Sequence, residues 1–173
     1  MLFMKSFQLS SMSLFSNLKY KIFCDMDGVI VDFEKGYKEL PNALELDGTY
    51  HSTPEFWEPI NNAGVEFWEN LEWMPDGKRL WSYIEEYYPI ILSSPSRRGF
   101  GSREGKKKWV DRELRGTPLV LEYSYNKQKY SNKNSILIDD RKSNIDQWIE
   151  KGGIGILHEN TEKTINELIT IGL

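Results

Sequence analysis

The chain has 173 residues, 39% hydrophobic and 28% charged, with a net charge of −4. These values fit one globular domain with room for a small insertion, and they argue against a general nucleic-acid binder, which would be basic. No stretch approaches the roughly 20 apolar residues of a membrane-spanning helix, and the single cysteine, Cys24, cannot form an intrachain disulfide, so a reducing, cytoplasmic setting is expected.

Residues 1–18 are rich in Ser, contain no acidic residue and offer Met1, Met4 and Met12 as starts. A transit peptide would carry Arg, and this segment has none. A disordered N-terminal extension is expected. Ordered structure should begin with a strand over Tyr20–Cys24 that stops at Asp25. Cys24 lies in the apolar run Ile22-Phe23-Cys24, the setting of a small buried hydrophobe.

Residues 34–75 do not follow the rhythm of the rest. They are dense in aromatics, Asn, Pro and Gly and hold Trp57, Trp68 and Trp73. A mostly helical cap insertion is expected there, set into a core formed by 19–33 and 76–173. From about 76 to 88, Leu80, Ile84 and Tyr88 share one helical face, and Pro89 ends the run. Ile90–Leu92 is a short buried strand. Ser102–Leu114 is a helix with a basic exposed side, and Leu119–Leu121 a third strand. Ile136–Ile138 is a fourth strand and ends at Asp139-Asp140. Ser143 is placed to cap the next helix with Asp146 as its partner, and Gly152-Gly153 close it. Gly155–Leu157 and Thr161–Ile171 give a last strand and helix. Strands alternating with helices, and strands without polar alternation, predict an α/β three-layer sandwich around a parallel, Rossmann-like sheet.

In such a sheet, reactive groups gather at the carboxyl ends of the strands. The first strand end carries Asp25-Met26-Asp27-Gly28. One carboxylate there can attack phosphorus, and a second can protonate a leaving oxygen and later deprotonate a water. Gly28 permits the turn, although an Asp-Gly turn after a strand is also common for purely local reasons. The second strand end offers Ser93 and Ser94 as hydroxyl donors. Lys127 and Lys129 follow the third. Asp139 and Asp140 close the fourth. Carboxylates crowded in this way repel unless a cation lies among them, and hard oxygen ligands suit Mg²⁺.

In order, these motifs resemble those of the haloacid dehalogenase superfamily. The segments DMDGVIVDF (25–33), LSSP (92–95), KWV (108–110) and LIDDR (137–141) resemble more closely the 5′(3′)-deoxyribonucleotidase family, over about Lys21–His158. The resemblance implies Asp25 as nucleophile and Mg²⁺ ligand. It implies Asp27 as general acid/base and main-chain ligand, with Ser93 in place of the family's usual Thr. Lys129 matches the third-motif lysine by its spacing to Asp139, with Lys127 as a rival. Asp140 is expected to bind the metal directly and Asp139 to support it. Phe33, Ser94, Phe67 and Trp68 are the expected substrate-binding residues, with Phe33 equally readable as a packing residue and Phe67 and Trp68 more often cap core than base platform.

The expected substrate is a small phosphomonoester, a deoxynucleoside monophosphate foremost, handled by a monomer or homodimer without nucleic-acid or membrane partners. The alternatives are a phosphatase for a sugar phosphate or nucleic-acid end, and a non-catalytic phospho-accepting domain. In such receivers the paired acids precede the accepting Asp; here the order is reversed. Arg97, Arg98, Arg103 and Lys106–Lys108 form a basic run, read as a solvated helix face that could also guide an anion. His51 and His158 have no ligand-like neighbours.

Overall fold

The computed structural model describes residues 19–45 and 53–173; the expectations for residues 1–18 and His51 lie outside them. The sheet is built from β1 (Lys21–Cys24), β2 (Ile90–Ser93), β3 (Leu119–Leu121), β4 (Ser135–Asp139) and β5 (Ile154–Leu157). All pairings are parallel and the order is β3-β2-β1-β4-β5, with β1 at the centre. Cys24 pairs with Ile138 and Ser93 with Leu121, so Asp25, Ser93 and Asp139 come to one edge of the sheet.

Alternate side chains of the buried strands feed two cores. Ile22, Cys24, Ile91, Ile136 and Ile138 enter one. Phe23, Leu92 and Leu137 enter the other, against Ile145 and Trp148. This explains why the strands read as continuous apolar runs: both faces are covered. The architecture is the expected α/β three-layer sandwich.

Among the described residues, five α-helices and one insertion complete it. Between β1 and α4 (Gly77–Ile84) lie α1 (Phe33–Lys38), α2 (Pro54–Ala63) and α3 (Val65–Glu69). Then come α5 (Ser102–Glu113), the short α6 (Ser124–Lys127), α7 (Lys142–Glu150) and α8 (Thr161–Ile171). The insertion starts and ends on the loop that follows β1. Val31 pairs with Trp73, Asp32 N–H donates to the Glu72 carbonyl at 2.9 Å, and Met74 N–H donates to the Ile30 carbonyl at 2.9 Å.

Two local expectations are corrected. Ser143 does not cap α7: the cap position is Arg141, with no side-chain bond of its own, and Asp146 pairs with Lys142. The backbone there is held by Asp139, whose Oδ1 accepts from Arg141 N–H at 2.9 Å. Nor is α5 basic only on a solvated face, because Lys106 is fully buried.

The insertion is clamped to α5. Trp68 Nε1–H donates to the Phe100 carbonyl at 2.9 Å, Trp109 Nε1–H to the Leu71 carbonyl at 2.8 Å, and Arg112 to the Glu69 carbonyl at 2.7 Å. Two glycines of the α5 segment make this approach possible. A Cβ on Gly101 would lie 2.6 Å from Val65 N, and one on Gly105 would lie 2.7 Å from the Val65 carbonyl and overlap Trp68. Gly105→Ala is therefore expected to destabilise the protein by about 1–3 kcal/mol, as overpacking does. Urea unfolding measures this, and an unchanged midpoint would mean that α3 can retreat freely.

Candidate active site

Asp25 sits just past the end of β1, and its N–H continues the ladder to the Ile138 carbonyl at 2.9 Å. The residue is 6% exposed. Oδ1 accepts from Met26 N–H at 2.8 Å, and Oδ2 lies 2.7 Å from Lys127 Nζ. The next residues form a tight turn in which Val29, Ile30 and Val31 N–H all point to the Met26 carbonyl. Gly28 has φ +76°, and a Cβ there would overlap the Asp140 carboxylate. Its glycine identity thus serves both the turn and the approach of Asp140.

Lys127 is the lysine that the fold brings in. It is buried, with Nζ 2.7 Å from both Asp25 Oδ2 and Asp139 Oδ2. Lys129 is exposed. The two lie in the helical stretch formed by α6 and the following 3₁₀ turn, Gln128–Tyr130. Residues two apart in a helix point to nearly opposite sides, so only one of them can face the carboxylates. Counting back from Asp139 selects the wrong one.

A second lysine, Lys106, joins from α5. Its Nζ lies 2.5 Å from Asp27 Oδ2 and 2.8 Å from Ser93 Oγ. In the sequence it belongs to a basic run expected to be solvated. The usable signal was its position three residues before Trp109, on the face where Trp109, Val110 and Gly105 are also buried. Asp27 Oδ1 is buried and has no hydrogen-bond partner among the described residues. Ser93 is fully buried beside Lys106. Ser94 shares a 2.9 Å hydrogen bond with Ser124.

Asp139 and Asp140 are unlike. Asp139 is fully buried and saturated: Asn144 Nδ2 donates to both oxygens at 2.9 Å, Arg141 N–H to Oδ1, and Lys127 to Oδ2. Asp140 is exposed at the cleft floor. Ligand oxygens of Asp25, Asp139 and Asp140 lie within 4.8 Å of one another. This donor set fits a hard divalent cation. Asp140 has the most open coordination capacity, and Asp139 is held in place by its own partners.

Although Asp140 opens onto the cleft, the groups packed around its carboxyl strip water from it, and this and then the Asp25 and Asp139 charges push it up to about 7. Burial and then Asp25 raise Asp139 to about 6, against Lys127. Burial also acts to raise Asp25, but Lys127 and Lys106 outweigh it and hold its carboxyl below the ordinary range. Burial acts to lower the Lys127 pKa, and Asp25 and Asp139 more than reverse this. The site is short of positive charge, and the shortfall falls on Asp139 and Asp140. Neighbouring Cys24 is pushed up by burial and then by Asp25, so its thiol is neutral and not a nucleophile.

A cleft of about 1410 Å³ opens above these groups. Asp25, Asp27, Asp140 and Ser94 lie on its floor, and Phe33, Trp57 and Trp68 on the insertion side. Phe67 is not on this wall. It is buried behind Phe33, edge-on at 5.5 Å, as part of the core that also holds Ile22 and Ile91. Trp68 is largely buried too and shows only part of its ring. Trp57 reaches the cleft and was not among the expected substrate-binding residues. His158 is buried against Thr164, away from the cleft.

No protein-family model matches the chain, and no curated protein sequence does. Solved structures do. A hydrolase from Streptococcus pneumoniae TIGR4 is 16% identical, with a TM-score of 0.51, over 90% of this chain and 100% of its own. A hydrolase from Pseudomonas syringae is 12% identical, with a TM-score of 0.52, over 89% and 100%. At this identity the likeness establishes the fold.

Two measurements probe this geometry. Lys127→Met leaves two buried carboxylates without their cation and is expected to cost about 3–5 kcal/mol, whereas Lys129→Met should stay within about 0.5 kcal/mol of the parent. Denaturant unfolding of both variants reads the difference, and equal losses would reject the placement. The second concerns pH. Asp139 and Asp140 hold protons more tightly folded than unfolded, so without divalent cations stability should fall as pH rises from about 4 through about 7. Asp140→Asn should recover on the order of 1 kcal/mol at pH 7.5, because solvent at the cleft screens this carboxylate. It should also remove any rise in melting temperature produced by added Mg²⁺. Parallel pH profiles for parent and variant would count against the charge crowding.

Proposed function

We propose that this protein is a magnesium-dependent phosphomonoester hydrolase of the haloacid dehalogenase type, with deoxynucleoside monophosphates as its foremost substrates. The observation that carries the reading is the setting of Asp25. It is a carboxylate kept ionised by buried Lys127 at the carboxyl end of the central strand, with a second carboxylate, Asp27, two residues on. Two similar folds that are named hydrolases agree with it.

The chemistry follows from the residues. An Asp25 oxygen attacks phosphorus, and the bond to the ester oxygen breaks. Asp27, whose buried Oδ1 has no partner among the described residues, delivers a proton to the departing alkoxide. It then takes a proton from the water that attacks the aspartyl phosphate, so Asp25 is restored and inorganic phosphate leaves. Ser93 and Lys106 are placed to offset charge on the phosphoryl oxygens, and Lys127 keeps Asp25 in its nucleophilic form. Magnesium held by Asp25, Asp140 and the Asp27 carbonyl would offset the charge of the phosphate and the surrounding carboxylates. Asp139 would act by fixing Lys127 and the start of α7.

The substrate assignment rests on the insertion wall. Phe33, Trp57 and Trp68 offer ring surface within one cleft with Asp25. Stacking of a base on an aromatic side chain contributes roughly 1–3 kcal/mol. A sugar phosphate has no comparable face.

Asp25→Asn should abolish phosphate release, because an amide cannot attack phosphorus, and Asp27→Asn should slow it by roughly 10²–10⁴-fold. Activity should vanish with a chelator and return with Mg²⁺. Phe33→Ala should raise KM for deoxynucleotides more than for an aryl phosphate. A phosphate-release screen over nucleotides and sugar phosphates decides between substrate classes. Normal turnover by Asp25→Asn would refute the mechanism, and a sugar phosphate as best substrate would remove the nucleotide assignment alone.

A further inference from the structure

The wall of the cleft opposite Phe33 is built differently. Ser94, Pro95, Ser96, Arg97 and Arg98 line it together with Tyr123, Ser124 and Tyr125. The rings of Tyr123 and Tyr125 are nearly parallel, 7° apart, with centroids 6.0 Å apart. The Arg97 guanidinium packs on both, 4.4 Å and 5.1 Å from the two centroids, and donates to the Tyr125 hydroxyl at 2.9 Å. Arg103 lies 5.7 Å from the same Tyr123 ring. Arg97 is in no ion pair among the described residues, whereas Arg79 and Arg112 each pair with a glutamate.

The loop that carries Arg97 is ordered by its own bonds. Ser96 Oγ accepts from Arg98 N–H and Gly99 N–H, and Ser102 Oγ accepts from Ser96 N–H at 3.0 Å. Gly99 touches Trp57 and Trp68, so the loop also spans to the insertion wall. Arg97 follows Ser93 by four residues, a reach of at most about 14 Å. A guanidinium fixed on two rings, exposed and with one hydrogen bond among the described residues, suits a planar or multi-oxygen anion.

We infer that Arg97, held by Tyr123 and Tyr125, forms a second anion subsite that selects phosphomonoesters carrying a further phosphate. The scissile group would sit at Asp25, and the second phosphate, on the other side of the sugar, would lie against Arg97. This inference rests on the phosphatase reading. The substrate class it names is the nucleoside bisphosphate or the 5′-phosphorylated dinucleotide, which share that chemistry and differ in whether the second phosphate is terminal or bridging.

The test compares kcat/KM for a deoxynucleoside 5′-monophosphate, the matching 3′,5′-bisphosphate and a 5′-phosphorylated dinucleotide, in the parent and in Arg97→Ala and Arg97→Lys. The parent should prefer a doubly phosphorylated substrate by about tenfold or more. Arg97→Ala should collapse that ratio towards one, mainly through KM, with Arg97→Lys intermediate. Preference for the bisphosphate over the dinucleotide would assign a terminal phosphate, and the reverse a bridging one. Binding of the same ligands to Asp25→Asn, with and without Arg97→Ala, is measured by calorimetry. If no substrate is hydrolysed, the phosphatase reading falls and the calorimetric comparison alone decides the subsite. Equal affinity for mono- and bisphosphate, or equal losses for both in Arg97→Ala, would overturn the inference.

Discussion

The buried ion triad of Asp25, Lys127 and Asp139 is the constraint on which the rest depends. Two adjacent parallel strands, β1 and β4, end with a carboxylate at the same level of the sheet. Away from water, two such charges repel strongly, and burial penalises each of them further. One lysine ammonium, 2.7 Å from both, makes the arrangement tenable. The neutralisation is incomplete. Asp140 adds a third carboxylate to the cluster and Asp27 a fourth nearby, while Lys106 adds one more cation beside Asp27 and Arg141 opposes the shift of Asp140 without cancelling it. The raised pKa values of Asp139 and Asp140 express that deficit. A divalent cation is the simplest group that would remove it.

Local backbone features serve this cluster. The turn after β1 closes on the Met26 carbonyl and leaves Gly28 with no side chain where Asp140 must approach. Asn144, one turn into α7, binds both oxygens of Asp139 and so fixes Lys127 through it. Helix α5 delivers Lys106 to Asp27 and Ser93 on the same face that grips the insertion through Trp109. The tie between insertion and core and the charge balance of the site therefore share one helix. The insertion is held on this side by hydrogen bonds and close glycine contacts. Residues of α1 and of the Arg97 loop both line the cleft.

The two walls of the cleft divide the work of recognition. The insertion wall presents rings and suits a flat apolar face. The core wall presents a guanidinium packed on tyrosines, in no ion pair among the described residues, and suits an anion. The segment 96–101 touches both, which makes it the natural place for substrate preference to be set.

Much of this was legible in the sequence. Continuous apolar runs between amphipathic segments determine a parallel sheet covered on both sides, because only such strands have two buried faces. Asp-x-Asp-Gly and Asp-Asp at strand ends determine the carboxylate cluster, because strand termini in this architecture converge. Three features were decided only by the tertiary structure. Lys127 rather than Lys129 faces the cluster, because the intervening chain winds into helical turns whose length is not set by linear spacing. Lys106 leaves an apparently solvated basic run, because α5 is gripped on that face by Trp68 and the strand ends. Phe67 lies behind Phe33 instead of beside it. In each case neighbouring residues of the same type compete for one position, and the direction of a side chain relative to distant elements chooses between them.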